Sequence, residues 1–231
     1  ELCTRKRKLV FKHCFSSYGH GFYLLEWQDG VYSLNNEQKD QKELNSFINS
    51  LDNYIVTEYV CQNKYSNEIN QSSVNTIRIQ CVWDFNKKEF FIPRAFHRFG
   101  MKGKLVDNLG SEGGGILAFI DINSGKIKET GLRKLPGKPE ERIQILNHPD
   151  SHKPIAGVMI PFWDNIIDKT LSVMQGLSFL KYTGIDIVVT DDGFKILEFN
   201  SLPTLSVLQI EGGFFKDERT NCFFHNIMNN V

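Results

Sequence analysis

The most constraining segment of this 231-residue chain runs Gly184-Ile-Asp186-Ile-Val-Val-Thr190-Asp-Asp-Gly193-Phe-Lys-Ile-Leu-Glu198-Phe-Asn200. Two runs rich in β-branched and aromatic residues flank Asp191-Asp192-Gly193, which reads as a β-hairpin. A three-residue loop ending in a left-handed glycine pairs Thr190 with Phe194 and brings Asp186 directly opposite Glu198, with Cβ atoms roughly 5 Å apart. Asn200 lies two residues beyond Glu198, on the same face. Like charges facing each other across a sheet need compensation. A divalent cation is the economical one, and two carboxylates with an amide oxygen form a hard donor set suited to Mg²⁺. A two-residue loop would slip the register and turn Asp186 away from Glu198, leaving a solvent-facing hairpin with scattered acids.

A second hairpin carries positive charge. Val74–Phe85 and Glu89–Phe99 are long strand-like runs joined by Asn86-Lys87-Lys88. A three-residue loop there sets Arg78 opposite Phe96, with Arg94 and Arg98 on the same face. Three arginines on one face call for anions, either phosphate or carboxylate ligands or acids of the chain itself. His97 points to the opposite face and reads as a core or surface residue rather than a base. Asp107-Asn108 and Gly113-Gly114-Gly115 follow as a polar segment with exposed backbone.

Near the start, Lys12 interrupts the apolar strand Leu9-Val-Phe-Lys-His, and Gly19 and Gly21 follow in a loop leading to another strand. Glycines let backbone N–H groups approach phosphate, and a strand lysine adds positive charge beside them. The pattern is not the glycine loop that runs into a helix. An edge-strand lysine beside an ordinary hairpin is the alternative. Tyr54–Val60 is a further strand, whose end at Glu58-Tyr59-Val60 is a candidate adenine contact or plain core.

Between these motifs, Glu37–Leu51 has the spacing of an amphipathic helix, residues 62–72 read as polar loop, and 130–156 as a long loop without assignable role. Pro161–Leu180 and Thr220–Asn229 read as helices. The predicted organisation is α+β, with one unit over residues 1–61 and a strand-rich one over 62–231. A hydrophobic content of 41% suffices for a real core. Lys+Arg and Asp+Glu are both 27, which disfavours a nucleic-acid binder. Arg5-Lys6-Arg7-Lys8 is a dense basic run, read as a solvated approach to the first strand. The five cysteines are scattered, with no CxxC spacing, as for reduced thiols in a cytoplasmic protein. No apolar run approaches the length of a membrane span.

In this order, the pieces resemble the ATP-grasp superfamily. Leu197-Glu-Phe-Asn-Ser-Leu-Pro203 is similar to the metal segment of D-alanine–D-alanine ligases and of ribosomal-protein glutamate ligases. Ser73-Val-Asn-Thr-Ile-Arg78-Ile, Val106-Asp-Asn108, His148-Pro149 and Gly157-Val-Met-Ile-Pro161-Phe-Trp163 resemble the sugar-transfer-associated ATP-grasp family most closely. The resemblance implies two α+β subdomains sandwiching ATP. Lys12, Gly19 and Gly21 would serve the phosphates, and Glu58, Tyr59 and Val60 the adenine. Mg²⁺, or Mn²⁺ in its place, would sit on Asp186, Glu198 and Asn200. Arg78, Arg98 and Asn108 would be catalytic, with Arg94, Gly113 and Gly114 toward substrate. It further implies a bacterial, cytoplasmic, ADP-producing ligase joining a small carboxylate to an amine. The family's link to capsule and other surface-polysaccharide assembly suggests sugar-linked substrates and an amino acid. A kinase of the same fold and a nucleotide-binding module without turnover are the alternatives. The superfamily's usual N-terminal domain and first ATP lysine are not in the sequence, whether absent or truncated.

Overall fold

The computed structural model describes residues 3, 7–16, 19–109, 114–135 and 138–229, without the side chains at 130, 134, 135 and 138–140. Gly113, and Arg5 and Lys6 of the basic run, lie outside the described residues. The chain divides into Glu1–Cys61 and Gln62–Val231.

In the first unit, β1 (Lys8–His13), β2 (Phe22–Gln28), β3 (Val31–Leu34), β4 (Glu37–Lys39) and β5 (Tyr54–Glu58) form an antiparallel sheet in the order β4-β3-β2-β1-β5. One face packs on α1 (Gln41–Ser50) through Leu9, Phe11, Leu25 and Leu44. The predicted helix starts too early at Glu37. Asn35 and Asn36 both take positive φ, which makes a tight two-residue hairpin and draws Glu37–Lys39 into the sheet. Asp40 and Glu43 then close a reciprocal cap, with the Glu43 N–H donating to Asp40 Oδ1 at 2.7 Å and the Asp40 N–H to Glu43 Oε2 at 2.9 Å.

The second unit is built on a seven-stranded antiparallel sheet. Its strands are β6 (Ile77–Asp84), β7 (Glu89–Phe99), β8 (Ile116–Ile120), β9 (Ile127–Leu135), β10 (Lys138–Ile145), β11 (Tyr182–Thr190) and β12 (Gly193–Ser201), in the order β10-β9-β8-β7-β6-β11-β12. The expected loop over 130–156 is therefore corrected: much of it pairs as the β9–β10 hairpin. Its charged residues hid the strand pattern. Part of the expected 62–72 loop is also helical, as α2 (Lys64–Ile69), with Asn63 Oδ1 accepting from the Tyr65 N–H at 3.1 Å. The asparagine cap is the sequence signal for this short helix.

One sheet face packs on α3 (Trp163–Gly176), where Trp163, Ile166 and Met174 meet Ile77, Ile79 and Ile185. Part of the other is covered by the C-terminal segment, which includes α4 (Leu205–Leu208) and α5 (Glu218–Asn229). There Leu208, Phe214 and Phe223 join Phe96, Leu117 and Phe119.

Both diagnostic hairpins reach their expected facing pairs by an unexpected route. Thr190 faces Gly193, so the loop is two residues, Asp191 and Asp192, rather than three. Leu197 is then an extra residue on β12, after which Asp186 faces Glu198. In the other hairpin Asp84 faces Glu89, and the register shifts before Gln80 faces Arg94 and Arg78 faces Phe96. Ile92 and Pro93 thus oppose the single residue Cys81. Proline has no N–H for a ladder, and the bulge falls where that donor is missing. Each bulge switches the alternation. Ile196 packs with the α3 core, while Glu198 shares the opposite face with Asp186.

His97 belongs to the α3 face, as its strand parity predicts, and is 0% exposed. Its Nδ1–H donates to the Arg98 carbonyl at 3.1 Å and its Nε2 accepts from Tyr65 Oη at 2.9 Å, the arrangement of a neutral ring. Burial lowers its pKa from 6.5 to about 3. The unfolded chain therefore binds a proton that the folded one refuses. This contribution to stability is complete above pH 6.5 and is lost as pH falls toward 3, by about 1.4 kcal/mol per pH unit. Urea unfolding at pH 7.5, 6.5 and 5.5 should show that loss in the wild type, and His97→Gln should flatten it between pH 6.5 and 5.5.

Candidate functional site

Four strands present one polar row on the face shared with the C-terminal segment. Phe96 on β7 faces Arg78 on β6, Arg78 faces Asp186 on β11, and Asp186 faces Glu198 on β12. The next row places Arg94 beside Gln80, Gly184 and Asn200.

Asp186, 3% exposed, is the centre of this arrangement. Arg78 reaches it with Nε on Oδ1 and with Nη2 on Oδ2 at 2.8 Å, and Arg98 Nη2 donates to the same Oδ2 at 2.8 Å. Burial alone would raise the carboxyl's pKa. The Arg98 and Arg78 guanidiniums more than offset it and hold the group at about 2.

Arg98 is fixed from behind. Thr76 Oγ1 accepts from its Nε at 2.8 Å and donates to Asp107 Oδ2 at 2.6 Å. Asp107 Oδ2 also takes the Thr76 N–H at 2.7 Å and lies 3.6 Å from Arg98 Nε. Burial would depress the Arg98 pKa, but Asp107 and Asp186 raise it, so the guanidinium is permanently charged. Asn108 Oδ1 makes a long 3.5 Å contact with Arg98 Nη1.

The arginine face thus finds its anions among the chain's own acids, one of the two readings the sequence left open. Arg94 is matched in the same way, with Nη1 at 2.8 Å from Glu211 Oε2.

Glu198 is exposed at the edge of the row, and Asn200 Nδ2 donates to its Oε1 at 3.2 Å. Among the described residues no group of three or more His, Cys, Asp or Glu is placed to hold a metal. The donor chemistry nonetheless fits Mg²⁺. Asp186 Oδ1 accepts from a single arginine and retains a lone pair. Glu198 faces it across the strand pair, and the Asn200 amide lies beside Glu198. Magnesium keeps several water or phosphate ligands and needs few from protein.

Two further residues, outside the sequence-derived site set, contribute. A Cβ on Gly184 would lie 2.9 Å from Arg78 Cδ and 3.3 Å from Pro203 Cβ, so the glycine makes the space in which Arg78 turns toward Asp186. A glycine inside a β-branched strand is itself the signal for such an approach. Thr76, on the strand face of Arg78, was legible only as part of a motif. In the glycine run, Gly114 takes φ +58°, and a Cβ on Gly115 would meet the Asp107 carbonyl oxygen at 2.5 Å. Of the two described glycines the tighter constraint falls on Gly115, which carries no role in the sequence reading.

In the first unit Lys12, partly buried, lies between Phe22 and Ile55 on the face opposite the α1 core. Gly19 and Gly21 take φ +80° and +66°, and a Cβ on Gly21 would come within 2.9 Å of His13 Cβ. Gly21 is thus required by the turn itself. Glu58 ends β5, the Tyr59 N–H donates to the Lys8 carbonyl at 3.4 Å, and Lys8 Nζ sits 5.2 Å from the Tyr59 ring centroid.

A mixed α+β chain with antiparallel sheets and an arginine-braced Asp–Glu pair on a hairpin has the layout of the ATP-grasp class. The sequence matches the sugar-transfer associated ATP-grasp family over residues 3–221, and the chain belongs to that family. Among solved structures it is similar to a RiPP-associated ATP-grasp ligase from Chryseobacterium gregarium, in complex with ADP and a leader and core peptide. That similarity covers 97% of this chain and 50% of the other, at 12% identity and a TM-score of 0.43. The chain thus spans about half the length of that structure. A search of curated proteins finds no match. Among the described residues no helix is long and apolar enough to cross a membrane.

Removing one member of a buried ion pair leaves its partner charged and uncompensated. Asp186→Asn and Arg78→Met should each destabilise the chain by about 3–5 kcal/mol in urea unfolding. The double variant should cost clearly less than their sum, since the two groups compensate each other.

Proposed function

We propose that the chain is an ATP- and Mg²⁺-dependent ligase that joins a carboxylate to an amine through an acyl-phosphate. The reading rests above all on the Asp186–Glu198 pair, braced by arginines and flanked by Asn200 on one sheet face. Family membership supports it.

In this reading, a carboxylate oxygen of the acid attacks the γ-phosphorus of ATP. The bond to the bridging oxygen breaks, and ADP leaves. The amine nitrogen then attacks the acyl carbon, phosphate leaves, and the amine loses a proton, giving an amide. Asp186, Glu198 and Asn200 would hold the metal, whose chemistry when bound is to neutralise phosphate charge. Arg78 and Arg98, positive and fixed in place, stabilise charge on the transferring phosphoryl group without reorganising. Asn108 adjoins Arg98 on the same face. In the first unit, Lys12 and the Gly19–Gly21 turn are proposed for the phosphates and Glu58–Val60 for adenine. Arg94, Gly113 and Gly114 are proposed for substrate. A sugar carboxylate as the acid and an amino acid as the amine, in bacterial surface-polysaccharide assembly within the cytoplasm, are the finer proposal, supported by the family's association with sugar transfer.

The test is ADP release from Mg-ATP across a panel of uronic acids and amino acids. Glu198→Gln alters an exposed residue and should leave unfolding unchanged while lowering turnover by about 100-fold, as loss of a metal partner does. Full activity in Glu198→Gln would remove the metal assignment. A stable phosphorylated product formed without amine would show phosphotransfer instead of ligation.

A further inference from the structure

The β9–β10 hairpin, to which no motif assigns a role, walls a cavity of about 1020 Å³ on the second unit's sheet, next to the segment after α4. Phe119, Leu132 and Ile210 supply apolar surface to it, and Phe119 and Leu132 belong to the sheet face that carries the Asp186 row. Arg94 links the two regions: it lies on β7 four residues from Arg98, and its partner Glu211 lines the cavity.

The charged lining has an unusual origin. Ile120 faces Ile127 and Ala118 faces Gly131, so residues 128–130 together oppose the single residue Phe119. In a regular strand, Lys128 and Glu129 would point to opposite faces. Across this irregularity both line the same cavity. Bulges commonly re-aim side chains in this way beside functional sites.

Lys128 is already paired, with Nζ 2.5 Å from Glu211 Oε1, while Arg94 holds Oε2. Lys126 and Arg142 also line the cavity and, like Glu129, form no ion pair among the described residues. The wall therefore offers two unpaired cations and the unpaired carboxylate of Glu129 around a fixed Arg94–Glu211–Lys128 bridge; Asp121, also in the lining, is held by Ser124, whose N–H and Oγ both donate to its Oδ1. A simple anion would satisfy the cations but oppose Glu129. A ligand carrying both signs satisfies both.

We propose that this cavity is the acceptor subsite of the ligase and takes an α-amino acid in its zwitterionic form. Lys126 and Arg142 receive the carboxylate, Glu129 receives the ammonium and accepts the proton it must lose before the nitrogen attacks, and Phe119, Leu132 and Ile210 meet the side chain. The inference rests on the ligase reading, since it deepens the amine's place in that reaction. The cavity lies at the upper end of ligand-site volumes and leaves room beside a single amino acid.

The test is saturation-transfer NMR with each of the common free amino acids at neutral pH, beside Mg-ADP binding by the wild type. At least one amino acid should bind, while its N-acetyl and C-amide derivatives bind at least tenfold more weakly. Glu129→Gln and Arg142→Met, both at exposed positions, should weaken the free amino acid by a similar factor. Absence of amino-acid binding, equal binding of the N-acetyl form, or unchanged affinity in both variants would overturn the subsite. If Mg-ADP binds normally in any of those cases, the ligase reading stands and the subsite alone falls. If amino acids bind but Mg-ADP does not, the acceptor role falls with the ligase reading.

Discussion

Asp186 carries a full negative charge in the interior of a sheet, held there by two guanidiniums, Arg78 from the neighbouring strand β6 and Arg98 from β7 beyond it. An isolated buried carboxylate would neutralise or drag the fold open. Here Arg78 and Arg98 keep it ionised, and Thr76 and Asp107 in turn keep Arg98 in place. Gly184 gives Arg78 the room to reach it. Much of what surrounds the row serves this one contact. Burial pushes the Asp107 carboxyl up while Arg98 and Thr76 pull it down, and Arg98 is held between two acids of the chain itself.

That arrangement changes how the arginines are understood. As a free cationic face they would wait for phosphate and hold no particular geometry. Bound to Asp186 they are oriented in advance, and orientation fixed before reaction is what makes a charge useful to a transition state. The same carboxylate is proposed as a metal ligand, with Oδ1 keeping a lone pair. Glu198 and Asn200, on the outer strand, are proposed to complete the donor set.

Bulges shape the functional face in three places. At Leu197 an extra residue brings Glu198 to the side of Asp186. At Ile92–Pro93 another sets Arg94 and Arg98 on the side of Arg78. At residues 128–130 a third gives one cavity two consecutive charged residues of opposite sign. In the first two cases the turn-side pairing serves packing and the far side carries the polar row. An irregularity between them lets one strand do both. In the third the charged residues sit in the irregularity itself.

The chain's own letters determined a good deal. Alternation of β-branched and polar residues marked most of the strands, and the spacing of Asp186 and Glu198 around an acidic turn put the two carboxylates opposite each other, as they are in the sheet. The parity of β7 separated His97 from its arginine neighbours. Cross-strand pairing is a short-range rule, so it could be read that far. Tertiary structure decided what lies beyond it. Whether Arg78 and Arg94 meet phosphate or Asp186 and Glu211 depends on residues more than a hundred positions away. The β9–β10 hairpin emerged from residues whose charge masked their pairing. The bulges could not be foreseen either, because an extra residue, or two as at 128–130, is not marked in a period-two pattern and is fixed only when both faces of the sheet are filled.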